Sequence, residues 1–162
     1  MKSRQGPQRV LSAMLVCGLA AGCLPHKIPG TDIDDNSDTR AVLDVVNAYR
    51  RAVELKDPSA LVALADESFR DDGGSASPED DLDYEKLKTV LPTRLQKIQD
   101  IRLDVTVKRV EFDDEAHLAR VTYSYQLTFR MPDYTSRAQS ETDIKQMTLK
   151  HSDKGWKITS GI

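Results

Sequence analysis

The sequence is poor in the side chains that most often carry chemistry. It contains two cysteines and three histidines in 162 residues, and aromatic residues make up only 6% of it. Both cysteines, Cys17 and Cys23, lie in the apolar stretch LVCGLAAGCLP at residues 15–25. The rest of the chain therefore cannot form a disulfide, a zinc–thiolate site or a catalytic Cys–His pair.

Recognisable catalytic motifs are also missing. No two histidines stand at metal-ligand spacing, and the chain has no HExxH, GxSxG or glycine-rich phosphate-loop sequence. His26 precedes the folded part, whereas His117 and His151 each lie beside a predicted turn, which favours surface or structural roles. We therefore predict neither a metal ion nor a cofactor.

Long hydrophobic runs are absent except for VLSAMLVCGLAAG at residues 10–22. Lys2, Arg4 and Arg9 precede this run, and no acidic residue stands among them. A basic start followed by an apolar run of this length is typical of a secretory signal peptide, and it is too short for a permanent membrane span. A buried N-terminal helix is the alternative, but the run has no polar stripe. We predict that residues 1–22 are a signal peptide.

The end of this run, Leu19-Ala20-Ala21-Gly22-Cys23, resembles a bacterial lipobox. The resemblance implies that the Cys23 sulfur receives a diacylglyceryl group and that cleavage occurs before it. Cys17 is preceded by bulky residues where cleavage needs small ones. Two or three acyl chains anchor a protein durably, because each buried methylene contributes about 0.8 kcal/mol. Because Leu24 and not Asp follows, the resemblance points to the outer membrane, facing the periplasm, in a cell with two membranes.

The predicted mature chain is acidic. Cleavage removes three of the 23 basic residues and none of the 26 acidic ones, so the net charge becomes −6. Such a surface argues against nucleic acid as a partner and against electrostatic adsorption to anionic lipid. Residues 24–38, rich in proline and aspartate, predict a flexible tether after the lipidated cysteine. Residues 39–162 suit a single domain with one core.

Helical spacing dominates the first half of this domain. Apolar residues three or four apart predict a helix from residue 39, capped by Asp38 or Thr39. Asp57-Pro58 is a favoured start for a second helix, and its apolar stripe reaches Phe69. A third pattern contains Pro92, which predicts a kink or two short helices.

The second half of the domain alternates with period two. Ile101 opens a strand whose phase slips near Lys108-Arg109, which predicts a bulge. The next strand places seven residues on one face: Ala119, Val121, Tyr123, Tyr125, Leu127, Phe129 and Met131. A polar strand over 137–151 follows, with a second slip of phase between Ile144 and Met147, and the last strand carries Trp156. The fold class is therefore α+β, with three helices covering one face of a four-stranded antiparallel meander.

This order of elements resembles the nuclear transport factor two superfamily, which includes SnoaL-like cyclases and ketosteroid isomerase. The resemblance is carried by AVLDVVNAYRRAVELKDPSALVALADESFRDDGG, by EAHLARVTYSYQLTF and by KGWKITSGI, within residues 39–162. It implies a cone whose curved sheet holds the helices in its concave face and leaves a pocket at the wide end. Isomerase-like members place a carboxylate base, an oxyanion-binding tyrosine and an acid in that pocket.

The pocket is predicted to be aromatic and apolar. Its candidate lining residues are Tyr49, Tyr84, Tyr123, Tyr125, Phe129 and Met131. No carboxylate falls on the pocket side of the first two strands, since Asp104 alternates away from Leu103 and Val105, so proton abstraction lacks an evident base.

Three functions remain open from the sequence. The first is a non-catalytic, lipid-anchored module that binds a small apolar molecule or another envelope protein. The second is a SnoaL-like or isomerase-type enzyme in which Asp71, Asp72 or another acid of the loop 71–83 is the base. The third is a homodimer that pairs through the polar sheet face carrying Thr122, Ser124, Gln126 and Thr128. Because no catalytic site is visible, the first is preferred.

Overall fold

The computed structural model describes residues 26–72 and 81–162. Three helices and six strands are present in this part of the chain. The helices are α1 (Ser37–Glu54), α2 (Pro58–Leu64) and α3 (Tyr84–Gln96). The strands are β1 (Arg70–Asp71), β2 (Leu82–Asp83), β3 (Gln99–Asp113), β4 (Leu118–Arg130), β5 (Gln139–Ser152) and β6 (Gly155–Ser160). None of the helices in the described ranges is long and apolar enough to cross a membrane.

The main sheet is the predicted antiparallel meander, with strand order β3-β4-β5-β6. The register between β3 and β4 shifts between Val107 and Arg109, so the predicted bulge is confirmed. β1 and β2 form a separate small antiparallel pair, which the sequence did not predict. The α+β class, with three helices and a four-stranded sheet, is confirmed.

One face of the sheet, the inner face, packs against the helices. Ala119, Val121 and Tyr123 of β4 and Met147 and Leu149 of β5 are at most 2% exposed there. They form one core with residues of the helical layer, including Val42, Val46, Phe69 and Leu87. The opposite, outer face carries the polar alternates.

The helix starts follow local capping chemistry. Asp57 accepts a hydrogen bond from the Ala60 N–H at 2.9 Å, and Pro58 is the first residue of α2, as predicted. The cap of α1 is Asn36, which accepts from the Thr39 N–H at 2.8 Å, so the predicted caps Asp38 and Thr39 are wrong.

Two other helical predictions need correction. α2 ends at Leu64, and Phe69 lies beyond it, fully buried in the core. Phe69 fits the apolar spacing because its ring is buried, although it is not helical. Its N–H donates to the Asp66 carbonyl at 2.9 Å in a turn. α3 is one continuous helix that contains Pro92, and the predicted division into two helices is wrong.

The segment predicted as a tether is largely folded in the structure. Residues 26–36 form a hairpin, in which Lys27 pairs with Asp34 and the Ile28 N–H bonds the Ile33 carbonyl at 2.9 Å. Ile33 is only 6% exposed. The flexible tether predicted over 24–38 is therefore replaced, from residue 26 onward, by a hairpin that leads directly into α1.

Candidate functional site

A cavity of about 240 Å³ lies between α1 and the inner face of the sheet. We call it the tyrosine cavity. It is lined by Tyr49, Val53, Leu103, Tyr123, Tyr125, Leu127, Glu141, Lys145 and Ile162. The cavity is thus built from one helix, three strands and the C-terminal residue, and three of the predicted pocket residues, Tyr49, Tyr123 and Tyr125, meet in it.

The two strand tyrosines have hydroxyls already engaged by the protein. Tyr123 donates to the Gly161 carbonyl at 3.0 Å, and burial raises the pKa of Tyr123 to about 12. Tyr125 donates to the Glu141 carboxylate. Burial, and then this hydrogen bond, raise the pKa of Tyr125 well above its usual value. Both phenols are therefore neutral at physiological pH.

Tyr49 differs from them because its hydroxyl makes no hydrogen bond with another described residue. The side chain is half-buried in α1 and lines the cavity. Burial, together with the neighbouring Tyr123 and Tyr125, raises its pKa far above the usual value. Tyr49 is therefore a neutral phenol that can donate a hydrogen bond to a molecule in the cavity.

A carboxylate occupies the cavity rim, and it comes from β5 and not from the first two strands of the sheet. Glu141 lies opposite Leu127 of β4, and antiparallel partners share a face. The same alternation puts Asp143 and Lys145 on the inner face, opposite Tyr125 and Tyr123. The Lys145 ammonium lies 5.6 Å from the centre of the Tyr125 ring, within cation–π range.

The sequence did hold the signal for Glu141. Stepping back by two from the buried Leu149 and Met147 reaches residue 141 on the same face. The predicted slip of phase at Ile144 would place Glu141 on the opposite face. That slip is wrong, because the β4–β5 register runs unbroken from Leu118 to Phe129. Ile144 is instead 65% exposed on the outer face.

The structure does not bring the other three predicted residues into the cavity. Tyr84 is the first residue of α3 and packs at the edge of the core, with the Lys88 ammonium 5.1 Å from its ring centre. Phe129 lies on the inner face of β4, opposite Gln139, but does not line the cavity. Met131 follows the last residue of that strand and is half-buried.

The loop acids considered as bases line a neighbouring polar cleft. This cleft measures about 920 Å³, and Asp71 and Asp72 line it together with Lys145 and Ile162, which also line the tyrosine cavity. Asp71 accepts hydrogen bonds from the Gly161 and Ile162 N–H groups at 2.7 and 3.1 Å. Asp71 therefore holds the C-terminal residues in place. It is not among the residues that line the tyrosine cavity, but its carboxylate is close enough to help raise the pKa of Tyr123 and of Tyr49.

The helix and sheet that form the cavity are tied by a second carboxylate. Glu54, at the end of α1, accepts from the Leu103 N–H of β3 at 3.1 Å and from Arg50 at 2.6 Å. Hydrogen bonds to a charged group contribute about 1.5–3 kcal/mol. This link fixes the end of α1 beside the edge strand, where Val53 and Leu103 line the cavity.

The described residues contain no group of three or more histidine, cysteine or acidic side chains placed to hold a metal ion. His117 and His151 are exposed, and the His151 ring stacks at a tilt on Trp156, 4.8 Å between centres. Cys23, Cys17 and the predicted signal peptide lie outside the described residues.

The fold of this chain is shared by many solved structures. No family profile and no curated protein sequence matches the chain. Many solved structures do. A nuclear transport factor 2-like superfamily protein from Salmonella enterica superposes with a TM-score of 0.60 at 12% identity, over 75% of this chain and 86% of that one.

Two further solved structures carry names that refer to activities. A ketosteroid isomerase-like protein from Erwinia carotovora gives a TM-score of 0.62 at 18% identity, over 79% of this chain and 98% of that one. A proposed scytalone dehydratase from Novosphingobium aromaticivorans gives 0.61 at 18% identity, over 76% and 80%. At such identities the likeness is one of fold, and the chain has the nuclear transport factor 2-like cone fold.

Proposed function

We propose that the chain is a cell-envelope lipoprotein, anchored through Cys23, whose cone binds a small apolar molecule that carries one hydrogen-bond acceptor. The observation that supports binding is the tyrosine cavity, in which the Tyr49 hydroxyl has no hydrogen-bond partner among the described residues. Ligand sites are concave and mostly apolar, with a few polar groups that fix orientation. At about 240 Å³ the cavity is smaller than most such sites, so the ligand is small.

Tyr49 gives this proposal its chemical test. Cyclohexanone and methylcyclohexane have similar shapes, but only the ketone accepts a hydrogen bond. We expect the ketone to bind more tightly, and Tyr49→Phe to weaken ketone binding about 2- to 10-fold, the range for one neutral hydrogen bond. Binding of methylcyclohexane should not change.

Binding is measured by ligand-observed NMR titration, with Tyr134→Phe as the matched control. Tyr134 is 72% exposed and does not line the cavity. If neither compound binds, or if Tyr49→Phe leaves the ketone affinity unchanged, binding in the tyrosine cavity is wrong.

The lipid anchor has a separate test. Mass spectrometry of the chain purified from membranes is expected to find an N-terminal Cys23 that carries fatty acyl groups, and residues 1–22 should be gone. In a cell with two membranes, density-gradient fractionation should place it with the outer membrane. An unmodified Cys23, or a chain recovered in the soluble fraction with its leader, would exclude the anchor.

An enzyme is the second candidate, favoured by Glu141 on the cavity rim. A carboxylate that reaches a bound substrate can act as a general base. The names of the isomerase-like and dehydratase structures suggest which activities to assay first. Glu141→Gln would then abolish turnover while ligand binding persists, whereas turnover that survives in this variant would remove Glu141 as the base.

A protein partner is a further proposal, in the form of a second copy or another envelope protein. The polar outer face, with Thr122, Ser124, Gln126 and Thr128, has the exposed Ile144 beside it, directly opposite Ser124. Sedimentation equilibrium of residues 26–162 should show a dimer that Ile144→Lys weakens. A monomer at high concentration would exclude pairing of two copies.

A further inference from the structure

We propose that the end of the domain that carries the N-terminal hairpin faces the bilayer, so that the tyrosine cavity opens toward the aqueous compartment. This orientation rests on the proposed anchor at Cys23. The orientation specifies which surface of the domain meets the membrane and from which side a ligand reaches the cavity.

The chain between the anchor and the domain is short. Three peptide steps separate Cys23 from His26, and even fully extended they span no more than about 11 Å. At His26 the hairpin has begun, because the His26 carbonyl accepts from the Asp35 N–H at 2.7 Å. The start of the hairpin at His26 is therefore held within about 11 Å of the Cys23 Cα.

The hairpin covers one end of the domain. Ile33 is 6% exposed, and it lines a cavity of about 310 Å³ together with the last part of β3, including Val110 and Phe112. Asn36 and Thr39, at the start of α1, line the same cavity. The hairpin therefore covers the end of the domain where α1 begins and β3 finishes, which we call the anchor end.

The tyrosine cavity lies at a distance from the anchor end. In β4, Val121 pairs with Val110 at the anchor end, and the cavity is lined by Tyr123, Tyr125 and Leu127. These residues lie two to six positions further along the strand, about 7–20 Å from Val121. Along α1, the ten residues from Thr39 to Tyr49 span about 15 Å. Both elements thus place the cavity beyond the anchor end, extending away from the hairpin.

On β5, too, the cavity rim is separated from the anchor end. Glu141 pairs with Leu127 in the cavity row, whereas Met147 pairs with Val121 in the anchor-end row. Lys145, two residues from Met147, lines the nearer part of the cavity, and the exposed Glu141 lines the part that is remote from the anchor. We therefore expect a ligand to enter past Glu141, from the aqueous compartment and not directly from the supporting bilayer.

Covalent attachment, and not surface charge, sets this orientation. Lys27 and Arg40 near the hairpin are already paired with Asp34 and Asp35. The predicted mature chain also carries a net negative charge, which repels anionic lipid. The orientation should therefore be insensitive to ionic strength between 50 and 500 mM.

Single cysteines on the lipidated full chain test the proposal. Glu111→Cys marks the anchor-end half of the sheet, and Thr142→Cys marks the cavity end; both positions are exposed. An acylated Cys23 has no free thiol, so a maleimide fluorophore labels only the new site. In phosphatidylcholine vesicles that contain nitroxide-labelled headgroups, we expect quenching at residue 111 to exceed quenching at residue 142 several-fold.

The outcomes separate the orientation from the anchor. Equal quenching at both sites, or stronger quenching at residue 142, overturns the orientation while the anchor stands. Failure of the chain to join vesicles, with an unmodified mass at Cys23, overturns both. The matched control is the same labelled pair with Cys23→Ala, which should remain unquenched in solution.

Discussion

At the scale of single residues, Gly161 is a position where even a small side chain is poorly tolerated. Its φ is +88°, and a Cβ there would lie 2.0 Å from the Gln146 carbonyl oxygen. Gly161 also donates to Asp71 and accepts from Tyr123, so it locates a cavity tyrosine. The geometry of the last two residues is therefore part of the site.

Gly161→Ala is expected to lower the free energy of unfolding by more than about 2 kcal/mol, since backbone strain and a clash with main chain add. Gly155→Ala is the matched control. Gly155 has a similar φ of +84°, but open space surrounds its Cβ position, so only about 1 kcal/mol of strain is expected. Urea unfolding of both variants measures the difference, and equal losses would contradict the clash.

The buried phenols predict a loss of stability at alkaline pH. A folded-state pKa raised above the unfolded value of about 10 leaves stability intact below pH 10. As pH rises further, the unfolded chain loses its proton first, so stability falls through the folded pKa. The pKa of Tyr49 is raised by burial, so its share of this loss begins near pH 10.

Tyr49→Phe should therefore flatten the fall in stability between pH 10 and 11.5, by up to about 1.4 kcal/mol per pH unit. Urea unfolding at a series of pH values measures this slope. Tyr134→Phe, at an exposed position, should leave the slope unchanged. A Tyr49→Phe slope equal to that of the unsubstituted chain would mean that Tyr49 is not buried as a neutral phenol.

At the scale of elements, the sequence predicted what local chemistry determines. Asp57-Pro58 starts α2 because the cap and the proline act within one helical turn, and the alternation of β4 survived intact because both faces are unambiguous. Phe69 was assigned to α2 because apolar spacing alone cannot distinguish a helix from a turn that buries one ring. The predicted phase of β5 is wrong for a related reason: Ile144 is apolar, but it lies on the outer face.

The β5 register makes a matched prediction with two substitutions. Met147 is fully buried, so Met147→Ala should cost about 2–5 kcal/mol. Ile144→Thr should change stability by no more than about 0.5 kcal/mol, because Ile144 is 65% exposed and threonine suits a strand. Chemical denaturation checks both values. A large loss for Ile144→Thr would indicate the slipped register, with Glu141 turned away from the cavity.

At the scale of the whole molecule, the tyrosine cavity could be predicted only in part. Tyr49, Tyr123 and Tyr125 follow from the amphipathic stripe of α1 and the alternation of β4. Glu141 and Ile162 reach the cavity through strand register and through the fold of the chain end, which depend on distant partners. Residues 26–36 likewise have the composition of a linker. The burial of Ile33 against β3 shows that they form a folded hairpin, and this contact depends on a distant strand.

The domain should therefore begin at the hairpin and not at α1. A chain of residues 37–162 loses the buried Ile33, whose burial contributes about 1.5–3 kcal/mol, and the Asn36 cap, which contributes about 1 kcal/mol. We expect its free energy of unfolding to be lower by about 2–4 kcal/mol than that of residues 26–162. In the longer chain, Ile33→Ala should reproduce most of this loss, whereas Pro29→Ala, at an exposed turn, should not. Equal stability of the two chains would show that the hairpin is not part of the folded domain. The short distance between Cys23 and the domain would then no longer follow.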